Sequence, residues 1–212
     1  MLNKRITAEI KKFHKENFRI KFCLGTIALI CVCVALLIIA TFTQISVNLS
    51  HTENSLGNYL RFEYIPQIPI VLFIAALLGE AWGLASILIY ILTGLFIFPV
   101  FALGGGPSYI FQYNFGYIFA YIFSVLIVSK QLKGKPSTVN IIKAVIYGVL
   151  IIHLIGIIYM FIIALIRHDS FDFIKNWIYY QSLSKLLYDI VFGFIAVFLA
   201  KAIRRVLWII MG

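Results

Sequence analysis

Apolar runs of about twenty residues divide this chain, each long enough to cross roughly 30 Å of hydrocarbon at about 1.5 Å per helical residue. The first, Phe22 to Thr43, contains no charged side chain. Five more follow, with approximate limits Ile65 to Leu78, Trp82 to Phe101, Tyr109 to Ser129, Ile141 to Ile166 and Leu186 to Ile210. A backbone in hydrocarbon must satisfy its own N–H and C=O groups, so these runs predict helices. The expected fold class is all-α: a polytopic membrane protein with six transmembrane helices. Composition agrees, because only 12% of the 212 residues are charged and mean hydropathy is +1.00, against about 25% charged residues in soluble domains. Disorder, a soluble nucleic-acid module and a secreted disulfide scaffold are excluded.

Basic residues set the expected orientation. Residues 1–21 carry Lys4, Arg5, Lys11, Lys12, Lys15, Arg19 and Lys21, and are read as a cytoplasmic segment ahead of a six-helix domain over residues 22–210. The first apolar run exceeds the core of a cleaved signal peptide, about 7 to 15 residues, and is therefore expected to be a retained helix. With the N-terminus inside, Lys130, Lys133, Lys135 and Lys143 also fall inside, as do Lys201, Arg204 and Arg205. Arg61, Arg167, Lys175 and Lys185 fall outside. Fourteen of the 18 Lys and Arg residues are thus internal, the excess expected when both termini are cytoplasmic. Pro66 and Pro69 predict an irregular entry to the second span.

The search for chemistry yields little that an enzyme could use. His14, His51, His153 and His168 lack metal-ligand spacing, and there is no nucleophile elbow or phosphate-cradling loop. No catalytic residue, metal or cofactor is expected. Cys23, Cys31 and Cys33 all lie in the first run and read as packing residues. His153 falls inside the fifth run, either as a functional group or as an imidazole bonded to a neighbouring helix. Asp189 is the single acid of the last run, with Lys185 four residues before it; the two read either as an end-of-helix ion pair or as polar groups of an outward cavity.

The connection Phe98-Pro-Val-Phe-Ala-Leu-Gly-Gly-Gly-Pro107 combines Gly104, Gly105 and Gly106 with Phe98, Phe101, Tyr109, Phe111, Tyr113 and Tyr117. Glycines let backbone groups approach a ligand closely, and an aromatic cup with a few polar groups suits a small-molecule site. A flexible turn and an interfacial aromatic belt are the alternatives. Gly25 to Ala28 and Cys31 to Ala35 place small residues at helical spacing, suited to close helix contact within the bundle or with a partner.

The order Gln67, Gly79, Ala85-Ser-Ile-Leu-Ile-Tyr90, Gly94, Phe98-Pro-Val-Phe-Ala102, the glycine run and Gly116-Tyr117 resembles the BioY family. Members are substrate-binding S components of energy-coupling-factor vitamin transporters, specific for biotin. The resemblance covers about Ile65 to Ser124, with a fragment at Leu187-Tyr-Asp189. It implies a multi-pass subunit of a bacterial cytoplasmic membrane that captures biotin or a close analogue from the outer face. Partners would be a transmembrane T component and two ATPases, with lipid around the spans and no nucleic acid. Implied binding groups are the Gly104, Gly105 and Gly106 backbone, Tyr117 as an apolar wall, and Asn114 and Asp189 as hydrogen-bond partners.

Two positions depart from the family pattern. Tyr113-Asn-Phe-Gly-Tyr117 replaces a Pro-Thr-Gly-Gly-Tyr-like stretch, and Phe192 stands where the family places a lysine three residues after the acid. Lys185 is the candidate replacement cation. The alternatives are an S component for another vitamin, a solitary transporter, or a membrane assembly protein without a ligand.

Overall fold

The structure, a computed structural model, describes residues 24–48, 61–134 and 136–211. The basic segment 1–21, Cys23, His14, His51 and Lys135 lie outside the described residues. The described chain is all-α in class, with one short two-stranded antiparallel ladder besides its helices and turns.

Helix α1 spans Leu24–Phe42. It buries Thr26, Ile30, Cys33, Val34, Leu37, Ala40 and Thr41, which recur every three or four residues and so form one face. The opposite face, with Ala28, Cys31, Val32 and Ala35, is exposed. Strand β1 (Ile45–Asn48) pairs with β2 (Arg61–Tyr64), Ile45 opposite Tyr64, and brings the chain back over the end of the bundle.

Helix α2 runs Gln67–Phe96 with one non-helical residue, Gly79, at φ 78° and ψ −164°. There the chain doubles back. A straight helix would hold residues 67 and 90 about 35 Å apart, yet the Gln67 amide lies 3.4 Å from the Tyr90 hydroxyl. Two expected runs, divided between Leu78 and Trp82, thus become antiparallel halves of one broken helix. Carbonyls freed by the break are taken by side chains: Ser129 Oγ donates to Ala75 O and Arg204 Nη1 to Ala76 O, each at 3.3 Å. Pro66 and Pro69 do not disturb the entry. They occupy the cap and first turn, where a missing N–H costs nothing. The half over residues 67–78 is the centre of the core, with every residue from Val71 to Leu78 buried.

A 3-10 turn over Pro107–Phe111 precedes α3 (Phe115–Gln131). Ser137 caps α4 (Thr138–Arg167) by accepting from the Asn140 N–H, and Ser170 caps α5 (Phe171–Ile178) through the Phe173 N–H. A π turn, Tyr179–Leu183, joins α5 to α6 (Ser184–Met211). Helices α3 and α4 approach closely through Gly116, Gly148 and Gly156, where a Cβ would overlap Tyr159, Val128 and Tyr117.

Among the described residues, four helical stretches are long and apolar enough to cross a membrane: Leu24–Phe42, Gln67–Phe96, Thr138–Arg167 and Phe171–Leu207. Phe115–Gln131 is a shorter apolar helix. Large apolar side chains such as Ile39, Leu92, Leu154 and Phe198 remain exposed around the bundle. In water such a surface would aggregate; in a bilayer it meets acyl chains.

Candidate functional site

The starts of α2, α3 and α6, the connection after α2 and the π turn meet around a hollow of about 80 Å³. Gln67, Asn114, Gln181, Lys185 and Asp189 supply its polar lining, and Tyr109, Tyr117 and Tyr121 its aromatic walls.

Asp189 lies at one side and is 2% exposed. The hydroxyl of Tyr64 donates to its Oδ1 at 2.8 Å, and His153 Nε2 lies 3.1 Å from its Oδ2. Tyr64 reaches this position because β2 ends beside the bundle, where its ring packs against Phe192 at 5.5 Å between centroids. Burial, reinforced by the Asp189 carboxylate, raises the Tyr64 phenol above its ordinary value, so Tyr64 stays a protonated donor. A carboxylate accepts at about four lone-pair sites, so these two bonds leave capacity for further donors.

Opposite, Gln67 is clamped. Its amide donates to Thr41 Oγ1 at 2.6 Å while its oxygen accepts from the Tyr121 hydroxyl at 2.8 Å. Thr41 and Tyr90 share a hydrogen bond at 2.9 Å. This network joins α1, both halves of α2 and α3, so Gln67 is a preorganised polar group rather than a mobile one.

The π turn covers the hollow from the side of α6. Gln181 donates to Asn114 Oδ1 at 3.0 Å, Lys185 Nζ donates to Gln181 Oε1 at 2.8 Å, and Ser182 and Tyr117 share a hydroxyl hydrogen bond of 2.7 Å. An outer cluster braces this cover. Tyr113 donates to Asp169 at 2.6 Å, stacks with Phe173 and Trp177, and lies under the Arg167 guanidinium.

Of the residues singled out in the sequence, Asn114, Tyr117, Lys185 and Asp189 line one hollow. Gly104, Gly105 and Gly106 do not line it. Gly104 and Gly106 adopt φ of 117° and 90°, and the Gly106 N–H donates to Gly94 O at 2.9 Å. A Cβ at Gly105 would lie 2.6 Å from the Pro99 Cα. The glycines fold the connection tightly onto the end of α2, and Ala102 and Tyr109 face the hollow instead. Tyr117 does more than wall the site, since its hydroxyl holds Ser182.

Of the two readings of Lys185 and Asp189, polar groups of one cavity fits: both line the hollow, with Lys185 Nζ on Gln181 and Asp189 on His153. The aromatic cup divides: Phe101 is buried against Tyr90 and Tyr109, while Phe98 and Phe111 are 65% and 66% exposed. His153 meets a neighbouring helix, as one of its two readings has it, through Asp189 on α6; Tyr64, Tyr121 and Gln181 carry no signal in the sequence. Among the described residues no group of three His, Cys, Asp or Glu side chains could hold a metal ion.

The helices define a multi-pass membrane protein with a polar hollow near one end of its bundle. The BioY family model matches residues 11–208, and the chain belongs to the BioY family. A curated relative, the probable biotin transporter BioY of Lysinibacillus sphaericus, is 32% identical over 98 residues. That match covers 45% of this chain and about half of the relative, 50%. The fold also matches the crystal structure, at 2.1 Å, of the S component for biotin from an ECF-type ABC transporter. The TM-score is 0.65 at 17% identity, covering 86% of this chain and 92% of the other.

Proposed function

We propose that this chain is the substrate-binding membrane subunit of an uptake transporter, capturing biotin or a close analogue from the outer face of a bacterial cytoplasmic membrane. Family membership and the relatives named for biotin support the substrate. The observation that carries the reading is Asp189, a buried carboxylate held by Tyr64 and His153 at the side of a hollow that also contains Asn114, Gln181 and Gln67.

The fused ring of biotin presents two N–H donors and a carbonyl acceptor. Asp189 accepts from the N–H groups, the carboxamides of Asn114 and Gln181 serve the carbonyl, and Tyr117 and Tyr121, one turn apart on α3, wall one side of the apolar ring edge. Lys185 neutralises the ligand carboxylate by turning from Gln181. The connection carrying Gly104, Gly105 and Gly106 shapes the floor rather than contacting the ligand.

Pockets that enclose small ligands measure about 300–1,000 Å³, and this hollow is about 80 Å³. Admission therefore requires the π turn to lift, breaking Gln181–Asn114 and Ser182–Tyr117. In this reading α2 crosses twice, giving six spans with both termini cytoplasmic; the break at Gly79 and the internal excess of Lys and Arg support it. Lipid surrounds the bundle. A transmembrane T component and ATPases supply the energy, the exposed Ala28, Cys31 and Ala35 face of α1 is the docking surface, and this chain makes or breaks no covalent bond.

Calorimetric titration of the purified protein with biotin and other vitamins tests the reading. Nanomolar binding of biotin is expected, weakened strongly in Asp189→Asn. Tight binding of a different vitamin overturns the substrate, and uptake of biotin without coexpressed T and ATPase subunits overturns the mechanism.

A further inference from the structure

Asp189 and His153 are 2% and 5% exposed and meet at 3.1 Å. A buried carboxylate is very costly unless a counter-charge and hydrogen bonds compensate it. His153, on α4, is the basic group facing it within 4 Å among the described residues. The other titratable groups around the pair are the phenols of Tyr64 on β2 and of Tyr117 and Tyr121 on α3, and Lys185 one turn before Asp189. Lys185 directs its amine to Gln181. One turn after Asp189, Phe192 offers only a ring, packed on Tyr64.

His153 commits Nε2 to Asp189. Its Nδ1 is buried and meets no hydrogen-bond partner among the described residues. With Nε2–H directed at the carboxylate, Nδ1 of the neutral ring is a bare lone pair, the position where one further proton binds. The pair then changes from one net negative charge to none.

We infer that His153 is the counter-ion of Asp189, and that ligand capture draws a proton from solution onto the His153–Asp189 pair. The inference rests on the hollow being the biotin site. The hollow beside Asp189 has room for water. A ligand that fills it removes that solvation from the carboxylate, so the protonated pair is favoured more in the complex than before it. Histidine is the side chain whose ordinary titration falls between about pH 5 and 8. The sign follows: a group binding its proton more tightly in the complex gives full affinity at low pH. Affinity is then lost as pH rises, by up to about tenfold per pH unit between the free and bound midpoints. His153 acts on the ligand through Asp189 and is a positioning residue.

Calorimetry of the purified full chain with biotin from about pH 5.5 to 8.5, in buffers of different ionisation enthalpy, counts protons taken up. Wild type is expected to take up a proton fraction and to bind more weakly as pH rises. His153→Gln keeps a neutral donor to Asp189 but cannot be charged, so it should bind about tenfold or more weakly at low pH, with no proton uptake. Adding Phe192→Lys to that variant places a permanent ammonium one turn from Asp189 and should restore affinity independently of pH. Should His153→Gln not fold, Phe192→Lys alone decides, since it must bind biotin without proton uptake. Biotin binding by wild type without proton exchange, an unchanged pH profile in His153→Gln, or wild-type proton uptake in Phe192→Lys overturns the inference alone. Absence of biotin binding at every pH overturns the ligand reading together with it.

Discussion

The hydroxyl of Tyr64 donates to the Asp189 carboxylate at 2.8 Å across 125 residues of sequence, tying the end of the strand ladder to the second turn of α6. The bond orients the carboxylate and shares its charge. Tyr64→Phe keeps the ring packing on Phe192 and removes only the donor. Hydrogen bonds to charged groups contribute about 1.5–3 kcal/mol, so biotin affinity should fall about tenfold to a hundredfold. Calorimetry reads the loss, and helical circular dichroism should be unchanged. Wild-type affinity in this variant would remove Tyr64 from the site.

Asp189 was legible because it is the single acid of the last run, whereas its partners were not. Tyr64 and His153 lie 125 and 36 residues away, and no periodicity relates positions that only the packing of β2 and α4 brings together. Helix limits were legible for the opposite reason: they follow from local apolarity, as with the run Ile141 to Ile166 inside α4, Thr138–Arg167. The glycines were visible but their use was not. Backbone approach to a ligand and backbone approach to Pro99 and Gly94 demand the same residue type, and only the fold decides between them. The strand ladder escaped notice because four-residue strands leave no pattern distinct from an ordinary loop.

Gly79 turns α2 back on itself at φ 78° and ψ −164°, a region open essentially only to glycine. No atom lies within 4 Å of where its Cβ would stand. Any penalty in Gly79→Ala is therefore conformational rather than steric, of order 1–3 kcal/mol. The variant should unfold at lower temperature in detergent, measured by thermal scanning of the purified protein, while Gly134→Ala, also at positive φ but in an exposed turn, serves as the comparison. A Gly79→Ala protein as stable as wild type would show that the break tolerates another conformation.

Gly156 presents the reverse case, with ordinary helical φ and no space. A Cβ there would overlap the ring of Tyr117, which lines the hollow and holds Ser182. Gly156→Ala must displace Tyr117 or push α3 from α4, and overpacking of this kind costs about 1–3 kcal/mol. Loss of biotin affinity should therefore accompany loss of stability, in contrast to Gly79→Ala, where affinity of the folded fraction should persist. Parallel calorimetry and thermal scanning of both variants separate the two effects.

The cover over the hollow predicts a kinetic phenotype. Ser182 is 2% exposed and does not line the hollow, yet its hydroxyl closes the π turn onto Tyr117 at 2.7 Å. If ligand enters only when this turn lifts, the hydrogen bond is part of the barrier to entry and part of the barrier to escape. Ser182→Ala removes a bond contributing about 0.5–1.5 kcal/mol. Association and dissociation should both accelerate, by about twofold to tenfold, with a smaller change in their ratio. Stopped-flow tryptophan fluorescence suits the measurement, because Trp177 packs on Tyr113 beside the cover. Unchanged rates in both directions would mean that ligand reaches Asp189 by a route that leaves the π turn closed.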